Sequence, residues 1–450
     1  MPAARLASAS RAKPHFHPLR RLKMRATCLF NVTPAIAAPC SRECSPSRAT
    51  RFTPGVASSR RRQVFAAAAA PPSIASLLVT SKRGLVDDIR ANIDAVVLDC
   101  DGVIWHGDTL IPGARLAVET LRANGARVFF ATNNATKSRE EYAAKFAALG
   151  MNVSKYEIYT SAYAAACYLK SHKFDEPRST TEENGSEVAS EGNTYKKPSV
   201  YVIGEQGILD ELAKANIDVE AGVYDSVRCS PRDWEEMREW LDETEDVGAV
   251  VVGSDSSFTF AKLAYASLMI QRGARFIATN PDAGDIFGPG LYPGAGALVA
   301  AVATASGRQP EIYAGKPSAF MLDLLSEHTG INLARTLVIG DRLDTDIAFG
   351  KAGKAAMTAL VMTGVATMDD VEALVAAAAT NPASAAALPD RIVGSLAELV
   401  GLDFDPDELC ASVPLAPSPG DRFPVQDDDL PDMAAFLDDD YDPSVYDPAS

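Results

Sequence analysis

The sequence lacks the marks of a disulfide-bonded, zinc-binding or membrane-spanning protein. Its seven cysteines are scattered and none forms a C-x-x-C pair, so no disulfide framework or zinc site is indicated. No stretch reaches the roughly 18 to 20 uninterrupted apolar residues of a membrane helix. The formal charge is −16, which argues against non-specific binding to nucleic acid. We therefore expect neither a membrane nor a nucleic acid as a partner.

The first 70 residues are nearly free of acids. They hold 13 Lys or Arg and a single acid, Glu43, in a stretch rich in Ser, Ala and Pro. This composition is typical of organellar transit peptides, and the apolar core of a secretory signal is missing. We expect residues 1–72 to be a disordered transit peptide, cleaved between Arg62 and Ser73. The Ser/Ala/Pro-rich character favours the chloroplast stroma over the mitochondrion, and an untargeted basic arm is the alternative.

Two further stretches contain too few large apolar residues to fold alone. Residues 403–450 hold 14 Asp or Glu and one base, Arg422, and we expect a disordered acidic tail there. Residues 174–199 are rich in Glu, Ser, Thr and Gly, and we expect a flexible insertion without a catalytic role. The chemistry is therefore expected in the remaining chain.

Glycine-rich nucleotide loops are missing where they would be needed. A Rossmann dehydrogenase requires G-x-G-x-x-G after its first strand, but the apolar run 95–98 leads into D-C-D-G. A P-loop kinase requires G-x-x-x-x-G-K-[ST], but proline follows Gly315 and Lys316. Both classes are therefore disfavoured.

The D-C-D-G stretch places two carboxylates at the end of a buried strand. Side chains alternate along a strand, so Asp99 and Asp101 can point the same way. In open α/β sheets the carboxyl ends of strands are where ligands bind. One carboxylate can attack an electrophile while its neighbour moves protons, and both can help to hold a metal. A charged surface loop is the alternative.

Polar residues also follow three later strands. The strand 127–132 ends in Thr132 and continues with Asn133 and Asn134, whose neutral donors can hold phosphate oxygens or simply form a turn. Lys316 follows a short apolar stretch, precedes a predicted helix, and can neutralise a phosphoryl oxygen.

A cluster of acids follows the strand 336–339. Asp341, Asp344 and Asp346 lie within six residues of one another. Such crowding is costly unless a cation balances it, and hard oxygen ligands suit Mg²⁺. Acids also favour the N-terminus of a helix, which accounts for Asp344 but leaves Asp341 at the strand tip.

Alternating strands and helices predict an α/β protein with a parallel sheet. We expect a catalytic core formed by residues 73–157 and 290–402, with an inserted α/β module at 158–289. Within this plan, residues 158–170 and 234–241 are predicted helices. The strand 311–314 is predicted to continue the first sheet, and a helix is predicted to start at Pro317.

The strand ends together resemble the haloacid dehalogenase superfamily, and more narrowly its phosphoglycolate phosphatase and 4-nitrophenylphosphatase group, which includes pyridoxal phosphatases. The likeness runs from about residue 76 to residue 402. The matching motifs are LDCDGVIW (98–105), ATNNATKS (131–138), FIATNPD (276–282), GKPSAF (315–320) and IGDRLDTDI (339–347). The resemblance implies a Rossmann-like core with a large α/β cap between the second and third motifs.

The resemblance also implies roles for the strand-end residues. Asp99 would be the nucleophile that forms an aspartyl-phosphate, and Asp101 the general acid and base. Mg²⁺ would bind Asp99, Asp341 and the backbone carbonyl of Asp101, with Asp346 steadying these metal ligands. Phosphate would be held by Thr132, Asn133, Asn134 and Lys316.

Departures from the family pattern concern the edge of the phosphate site and the cap. Relatives usually have serine where this chain has Ala135. In the cap, the usual Phe-Asp pair is Ser254-Asp255, and a usual tyrosine is Phe260. The cap departures bear on substrate identity and leave the reaction chemistry intact.

The resemblance together with the expected plastid address favours 2-phosphoglycolate, the by-product of Rubisco oxygenation, as the small phosphorylated metabolite. Pyridoxal 5′-phosphate, or a broad range of small phosphate esters, is the alternative. A non-catalytic binding or regulatory protein on the same fold is the alternative of a different class. Relatives often dimerise through the cap, so a homodimer is a further expectation.

Overall fold

The computed structural model describes residues 73–78, 86–87, 89, 91–174, 197–220, 247–287 and 290–402. The expected transit peptide with its cleavage site, most of the expected insertion, the helix predicted at 234–241 and the acidic tail lie outside the described residues.

Fourteen strands are defined within the described residues. They are β1 (Ala95–Leu98), β2 (Trp105–His106), β3 (Thr109–Leu110), β4 (Arg127–Thr132), β5 (Ile158–Thr160), β6 (Ser199–Ile203), β7 (Val247–Val252), β8 (Arg275–Ala278), β9 (Gly284–Phe287), β10 (Gly290–Pro293), β11 (Ile312–Tyr313), β12 (Thr336–Gly340), β13 (Met357–Val361) and β14 (Arg391–Val393).

The α-helices of the same part of the chain are α1 (Ile74–Leu77), α2 (Ala114–Ala123), α3 (Arg139–Ala148), α4 (Ser161–Ser171), α5 (Gln206–Lys214), α6 (Phe260–Gln271), α7 (Ala295–Ser306), α8 (Phe320–Thr329), α9 (Ala348–Ala352), α10 (Met368–Ala378), α11 (Pro382–Ala386) and α12 (Leu396–Leu399). Short 3-10 turns cover Lys155–Glu157 and Leu333–Arg335, and a π-helical turn covers Leu343–Ile347.

Six strands form one parallel sheet in the order β14-β13-β12-β1-β4-β5. The central strand β1 is buried at every residue, as an apolar run covered on both faces should be. In the register of this sheet, Leu98 lies beside Ile339 of β12 and Phe130 of β4. The carboxyl ends of these three neighbouring strands therefore lie close together.

A second parallel sheet has the order β11-β8-β7-β6. Its apolar face packs with helices α6 and α7 in a cluster that includes Tyr201, Val250 and Tyr265. Two antiparallel pairs, β2 with β3 and β9 with β10, complete the described strands. The sequence pattern did not predict either pair, because each is short and its pattern is not distinctive.

The predicted helix 158–170 is partly wrong. Ile158, Tyr159 and Thr160 form strand β5 at the edge of the six-stranded sheet, and the helix starts only at Ser161. Branched and aromatic side chains fit a sheet surface better than a helix. The Thr160 side chain accepts a hydrogen bond from the Tyr163 amide and so caps the helix that follows.

The strand predicted at 311–314 lies in a different sheet from the one expected. Strand β11 pairs with β8 in the four-stranded sheet, because helix α7 packs with α6 on that sheet and returns the chain beside β8. The division of the chain into core and cap is a proposal. Because β5 belongs to the six-stranded sheet and β11 to the four-stranded sheet, we propose a cap from about residue 161 to residue 315, instead of 158–289, between two core segments.

A smaller difference concerns the helix predicted to start at Pro317. It begins at Phe320, and the Ser318 hydroxyl accepts a hydrogen bond from the Phe320 amide at 3.3 Å. The preceding residues form a turn at the carboxyl end of β11. The turn leaves Lys316 close to that strand end.

The predicted α/β class with a parallel-sheet core is confirmed. Helix α3 starts with a capping box, since the side chains of Ser138 and Glu141 accept hydrogen bonds from each other's backbone amides. Within the described ranges, no helix combines the length and apolar character required to cross a membrane.

Candidate active site

The carboxyl edge of the six-stranded sheet brings together three of the predicted carboxylates. Asp99 follows β1, and its amide donates to the Ile339 carbonyl of β12 at 2.9 Å. Asp341 follows β12, and Asp346 lies in the π-helical turn beyond it. One carboxylate oxygen from each of the three residues lies within 4.8 Å of the other two.

Lys316 crosses from the end of β11 into this cluster. Its Nζ donates to Asp99 Oδ1 at 2.5 Å, to Asp346 Oδ1 at 2.6 Å and to the Ala131 carbonyl at 3.0 Å. The side chain is only 4 % exposed. Burial alone would lower the pKa of Lys316, but the charges of Asp346 and Asp99 outweigh burial and raise it. A permanent positive charge is therefore placed against Asp99.

Asp99 itself has a raised pKa. Burial is the main cause, the charges of Asp346 and Asp341 add to it, and the positive charge of Lys316 partly offsets it. Its side chain keeps 12 % of its surface exposed. Asp99 is thus accessible to a small ligand while it is held by Lys316.

Asp346 is occupied by protein donors on both oxygens. Oδ1 accepts from Lys316, and Oδ2 accepts from the backbone amides of Asp341 at 3.2 Å and Arg342 at 3.0 Å. A side chain at Gly340 would collide with the Asp346 carboxylate. Both carboxylate oxygens of Asp346 are therefore engaged by donors of the chain itself.

Asp341 is the least compensated carboxylate of the three. Burial is the main cause of its raised pKa, about 7, and the charge of Asp346 is the second. The Val365 amide donates to its Oδ2 at 2.7 Å, and the Ala366 amide donates to its backbone carbonyl at 2.9 Å. The loop after β13 thus forms one wall of the site.

Gly364 in that loop leaves no room for a side chain, because a Cβ there would overlap the Asp341 carboxylate. We expect Gly364→Ala to displace Asp341 and to weaken metal binding by about 10- to 100-fold, the usual effect of disturbing a ligand's supporting contacts. Calorimetric titration of Mg²⁺ measures the binding directly. Gly394→Ala is the matched control, since its Cβ would meet only the flexible Glu398 side chain. Unchanged affinity in Gly364→Ala would contradict a role for Asp341 as a ligand.

The donor set fits a hard divalent cation. Three buried carboxylates within 4.8 Å of one another repel when they are ionised, and Lys316 contacts only two of them. Oxygen ligands of this kind suit Mg²⁺ or Ca²⁺. A cation between Asp99 and Asp341 would supply the charge that Asp341 lacks.

Asp101 lies at the rim of this cluster and is exposed. Its Oδ1 accepts a hydrogen bond from Trp105 Nε1 at 2.9 Å. The adjacent Gly102 has φ +80°, and its carbonyl accepts from the Thr363 hydroxyl at 2.6 Å. The chain therefore turns sharply after Asp101, and the carboxylate is left accessible beside Asp99.

Asn133 joins the ends of β4 and β11. Its Oδ1 accepts from the Lys316 amide at 2.8 Å, and its Nδ2 donates to the Lys316 carbonyl at 3.0 Å and to Asp282 Oδ2 at 3.0 Å. Its own carbonyl accepts from Ser161 and from Asn280. The side chain thus positions Lys316, and a phosphate contact from Asn133 would have to use its backbone amide.

The two remaining predicted phosphate ligands differ in their surroundings. Thr132 is buried, and its hydroxyl accepts from the Asn134 amide at 3.1 Å. Asn134 is exposed, and its Oδ1 accepts from the Thr136 amide and hydroxyl at 2.9 and 2.7 Å. This is an Asx turn, which favours the turn interpretation for Asn134.

Sequence reasoning left several of these residues without a role. Asn280 and Asp282 lie in a motif that matched the family, yet no side-chain role followed from it. Trp105 also lies in such a motif without a role, and Gly364 lies outside the motifs, because the contacts of both depend on what lies opposite them in space. Only a co-variation signal from related sequences could have shown these pairings.

Comparison with known proteins agrees with this geometry. A model described as haloacid dehalogenase-like hydrolase matches residues 96–218, and a second, HAD-hydrolase-like model matches residues 313–399. Together they cover the strand ends described above, apart from the residues between 219 and 312.

Among curated proteins, the chain is similar to the chloroplastic phosphoglycolate phosphatase 1A of Arabidopsis thaliana. The two are 39% identical over 300 residues, which are 66% of this chain and 75% of the relative. Human glycerol-3-phosphate phosphatase is 37% identical over 63% of this chain and 83% of its own length. Human chronophin is 33% identical over 69% of this chain and 94% of its own length.

Among solved structures, 4-nitrophenylphosphatase from Thermotoga maritima superposes with a TM-score of 0.54 at 25% identity, covering 70% of this chain and 98% of its own. Glycerol phosphate phosphatase from Mycobacterium tuberculosis, in complex with magnesium, superposes with a TM-score of 0.52 at 27% identity, covering 70% and 78%. Sequence, fold and the charged cluster therefore agree: the chain belongs to the haloacid dehalogenase-like hydrolases and is a phosphoric monoester hydrolase.

Proposed function

We propose that this protein is a Mg²⁺-dependent phosphatase that hydrolyses 2-phosphoglycolate to glycolate and phosphate. The observation that carries the phosphatase chemistry is the contact of Lys316 Nζ with Asp99 Oδ1 at 2.5 Å beside the carboxylate of Asp341. In this proposal Asp99 is the nucleophile, Lys316 is the cation that binds the phosphoryl group, and Asp341 is a metal ligand.

In the first step, an Asp99 carboxylate oxygen attacks the phosphorus atom and forms an aspartyl-phosphate. The ester oxygen leaves with the bonding electron pair and takes a proton from Asp101, so that glycolate is released. Lys316, the Thr132 hydroxyl and the Asn133 amide hold the phosphoryl oxygens. Mg²⁺ held by Asp99, Asp341 and the Asp101 carbonyl would neutralise charge on the phosphoryl group.

In the second step, water attacks the phosphorus atom of the aspartyl-phosphate and gives its proton to Asp101. The bond between phosphorus and the Asp99 oxygen breaks, and Asp99 regains its carboxylate. Asp101 regains the proton that it gave to the leaving group. The net reaction consumes one water and restores both aspartates.

Two observations support 2-phosphoglycolate as the substrate. The similar plant proteins are named phosphoglycolate phosphatases, and those named 1A and 1B are chloroplastic. The basic, Ser- and Ala-rich residues 1–72 have the composition of a plastid transit peptide. We accordingly propose the chloroplast stroma as the compartment, with the mitochondrion as the alternative.

Arg342 is the residue that we propose to hold the glycolate carboxylate. It directly follows Asp341. Burial alone would lower the pKa of Arg342, but the hydrogen bond and charge of Asp344, together with the charges of Asp282 and Asp346, outweigh burial and raise it. Its guanidinium binds Asp344 with Nε at 3.2 Å and Nη2 at 2.9 Å. Asp344 is 70 % exposed, so the guanidinium can exchange this partner for a ligand carboxylate.

We expect Arg342→Met to lower kcat/KM for 2-phosphoglycolate by about 10- to 100-fold, the effect of losing a charged hydrogen bond. The same change should alter kcat/KM for glycerol 3-phosphate by less than about threefold, since that substrate offers hydroxyls instead of a carboxylate. Arg335→Met is the matched control, because Arg335 pairs with Asp94 at the opposite end of the sheet. Equal losses on both substrates would contradict the assignment of Arg342.

The experiment that tests the proposed substrate is phosphate release by the purified chain with Mg²⁺. The quantity compared is kcat/KM for 2-phosphoglycolate, pyridoxal 5′-phosphate and glycerol 3-phosphate. A preference for 2-phosphoglycolate of about 100-fold or more, equivalent to about 2.7 kcal/mol, supports the proposal. Similar rates on all three substrates would show a broad phosphatase instead. No release from any of them by folded protein would favour a non-catalytic role.

A further inference from the structure

The indole of Trp105 contacts the exposed carboxylate of Asp101 from inside the core. Trp105 has no exposed surface, and its Nε1 donates to Asp101 Oδ1 at 2.9 Å. The backbones of the two residues also pair, and the Trp105 carbonyl accepts from the Gly102 amide at 2.8 Å. A buried donor therefore reaches out to an accessible acid.

Three side chains of helix α3 hold the indole in place. Phe146 packs edge-on against it with ring centroids 4.7 Å apart, and Tyr142 stacks at 6.2 Å. Lys145 Nζ lies 4.2 Å from the Trp105 ring centroid and donates to the Gly107 carbonyl at 2.7 Å. The same lysine thus fixes the turn between β2 and β3. The indole has little freedom to move.

An exposed aspartate without such an anchor changes rotamer on the picosecond to nanosecond time scale. Proton transfer requires the carboxylate to stay within hydrogen-bond reach of the leaving oxygen. A hydrogen bond from a rigid donor to one oxygen restricts both side-chain torsions of Asp101. Packing alone does not explain why the indole N–H points out of the core toward this acid.

We propose that Trp105 is a positioning residue that orients Asp101 for proton transfer to the leaving group. This inference rests on the proposed role of Asp101 in phosphate ester hydrolysis. Trp105 touches neither substrate nor metal in this assignment. The effect of substituting Trp105 on kcat/KM should therefore depend on how strongly the leaving group needs a proton from Asp101.

The test compares two substrates that differ in that need. An alkyl phosphate such as 2-phosphoglycolate has a poor leaving group and requires the acid, whereas 4-nitrophenolate leaves without one. We expect Trp105→Phe to lower kcat/KM for 2-phosphoglycolate by about 10- to 100-fold, a substantial part of what a general acid contributes. The change for 4-nitrophenyl phosphate should stay within about threefold. The ratio of the two values is independent of the fraction of enzyme that is folded.

A purely structural role is tested by two controls. Phe146→Leu keeps the indole N–H but removes one of the rings that hold the indole, so the substrate ratio should shift in the same direction as in Trp105→Phe and by less. In an Asp101→Asn background, Trp105→Phe should cause no further loss on 2-phosphoglycolate, because the residue that it orients is already inactive. Equal losses on both substrates, or additive losses in the double variant, would overturn the proposal. Failure of the proposed function itself would show instead as a wild type inactive on both substrates.

Discussion

Asp99→Asn abolishes phosphate release if Asp99 is the nucleophile. The substitution keeps the size of the side chain but replaces an anionic oxygen by a neutral amide, which does not form the aspartyl-phosphate. We expect kcat to fall by at least about 10³- to 10⁴-fold, as for other covalent nucleophiles. Colorimetric phosphate detection with each substrate of the panel measures the loss.

The fold should survive this substitution. Lys316 would keep Asp346 Oδ1 at 2.6 Å and the Ala131 carbonyl at 3.0 Å as partners. The neutral amide introduced by Asp99→Asn would also avoid the desolvation that raises the pKa of Asp99. A thermal unfolding curve close to that of the wild type would separate lost chemistry from lost structure.

Asp344→Asn is the matched control for Asp99→Asn. Asp344 belongs to the same acidic cluster in the sequence, but its side chain is 70 % exposed and pairs with Arg342. The activity of the Asp344→Asn enzyme on a substrate without a carboxylate should stay within about threefold of the wild-type activity. An Asp99→Asn enzyme that keeps more than about a tenth of the activity would contradict the nucleophile assignment.

Lys316→Met has the second large effect, and it acts on both activity and stability. Removal of the ammonium takes away a charge placed against the phosphoryl group, and we expect kcat to fall by about 10²- to 10³-fold. It also leaves Asp99 and Asp346 without their shared partner. Breaking a buried ion pair on one side typically costs about 3–5 kcal/mol of unfolding free energy.

The stability loss should depend on pH in a defined direction. Lys316 lowers the pKa of Asp99, so its removal raises that pKa further above the ordinary value. A carboxyl whose folded pKa lies above its unfolded pKa binds more protons in the folded state, so stability falls as the pH rises between the two. The deficit of Lys316→Met should therefore be small near pH 4 and widen toward neutral pH.

Urea unfolding in the presence of EDTA at several pH values measures this trend without metal. Lys351→Met is the control, because Lys351 forms a half-exposed pair with Asp390 far from the site. That pair should contribute at most about 1 kcal/mol, and its loss should leave activity intact. A deficit in Lys316→Met that is equal at all pH values would contradict the charge coupling between Lys316 and Asp99.

Local sequence pattern predicts much of the core sheet because its strands are short, apolar and bounded by polar residues. The run 95–98 lies between the runs 127–132 and 336–339 in the sheet. Since ligands collect at the carboxyl ends of parallel strands, the meeting of Asp99, Asp341 and Asp346 could be expected from the amino-acid sequence alone. Their chemical roles are proposals that the experiments above test.

The local sequence pattern does not show which distant segments pair with one another in a sheet. Ile158–Thr160 continues directly into a helix, so its three residues resemble the first helical turn, and only pairing with β4 makes them a strand. Ile312–Tyr313 is too short to indicate its sheet, and the packing of the preceding helix decides it. Lys316 therefore follows a strand of the four-stranded sheet, whereas its strand was predicted to continue the core sheet.

The contacts that support the site could not be predicted from the sequence either. Asn133 is a predicted phosphate ligand, and its side chain also bonds the backbone of Lys316, 183 positions away in sequence, a contact that the motif did not indicate. The roles proposed for Gly364 and Trp105 depend on their contacts with Asp341 and Asp101. Such roles follow from spatial neighbours, which composition and periodicity do not report.

The measurement that tests the central claim most directly is capture of the phosphoenzyme. Purified protein is mixed with Mg²⁺ and radiolabelled phosphate ester, quenched in acid within milliseconds, and digested for peptide mapping. We expect label that is stable in acid, released by hydroxylamine, and confined to the peptide that contains Asp99. Turnover without labelled protein, or label on another residue, would contradict hydrolysis through an aspartyl-phosphate at Asp99.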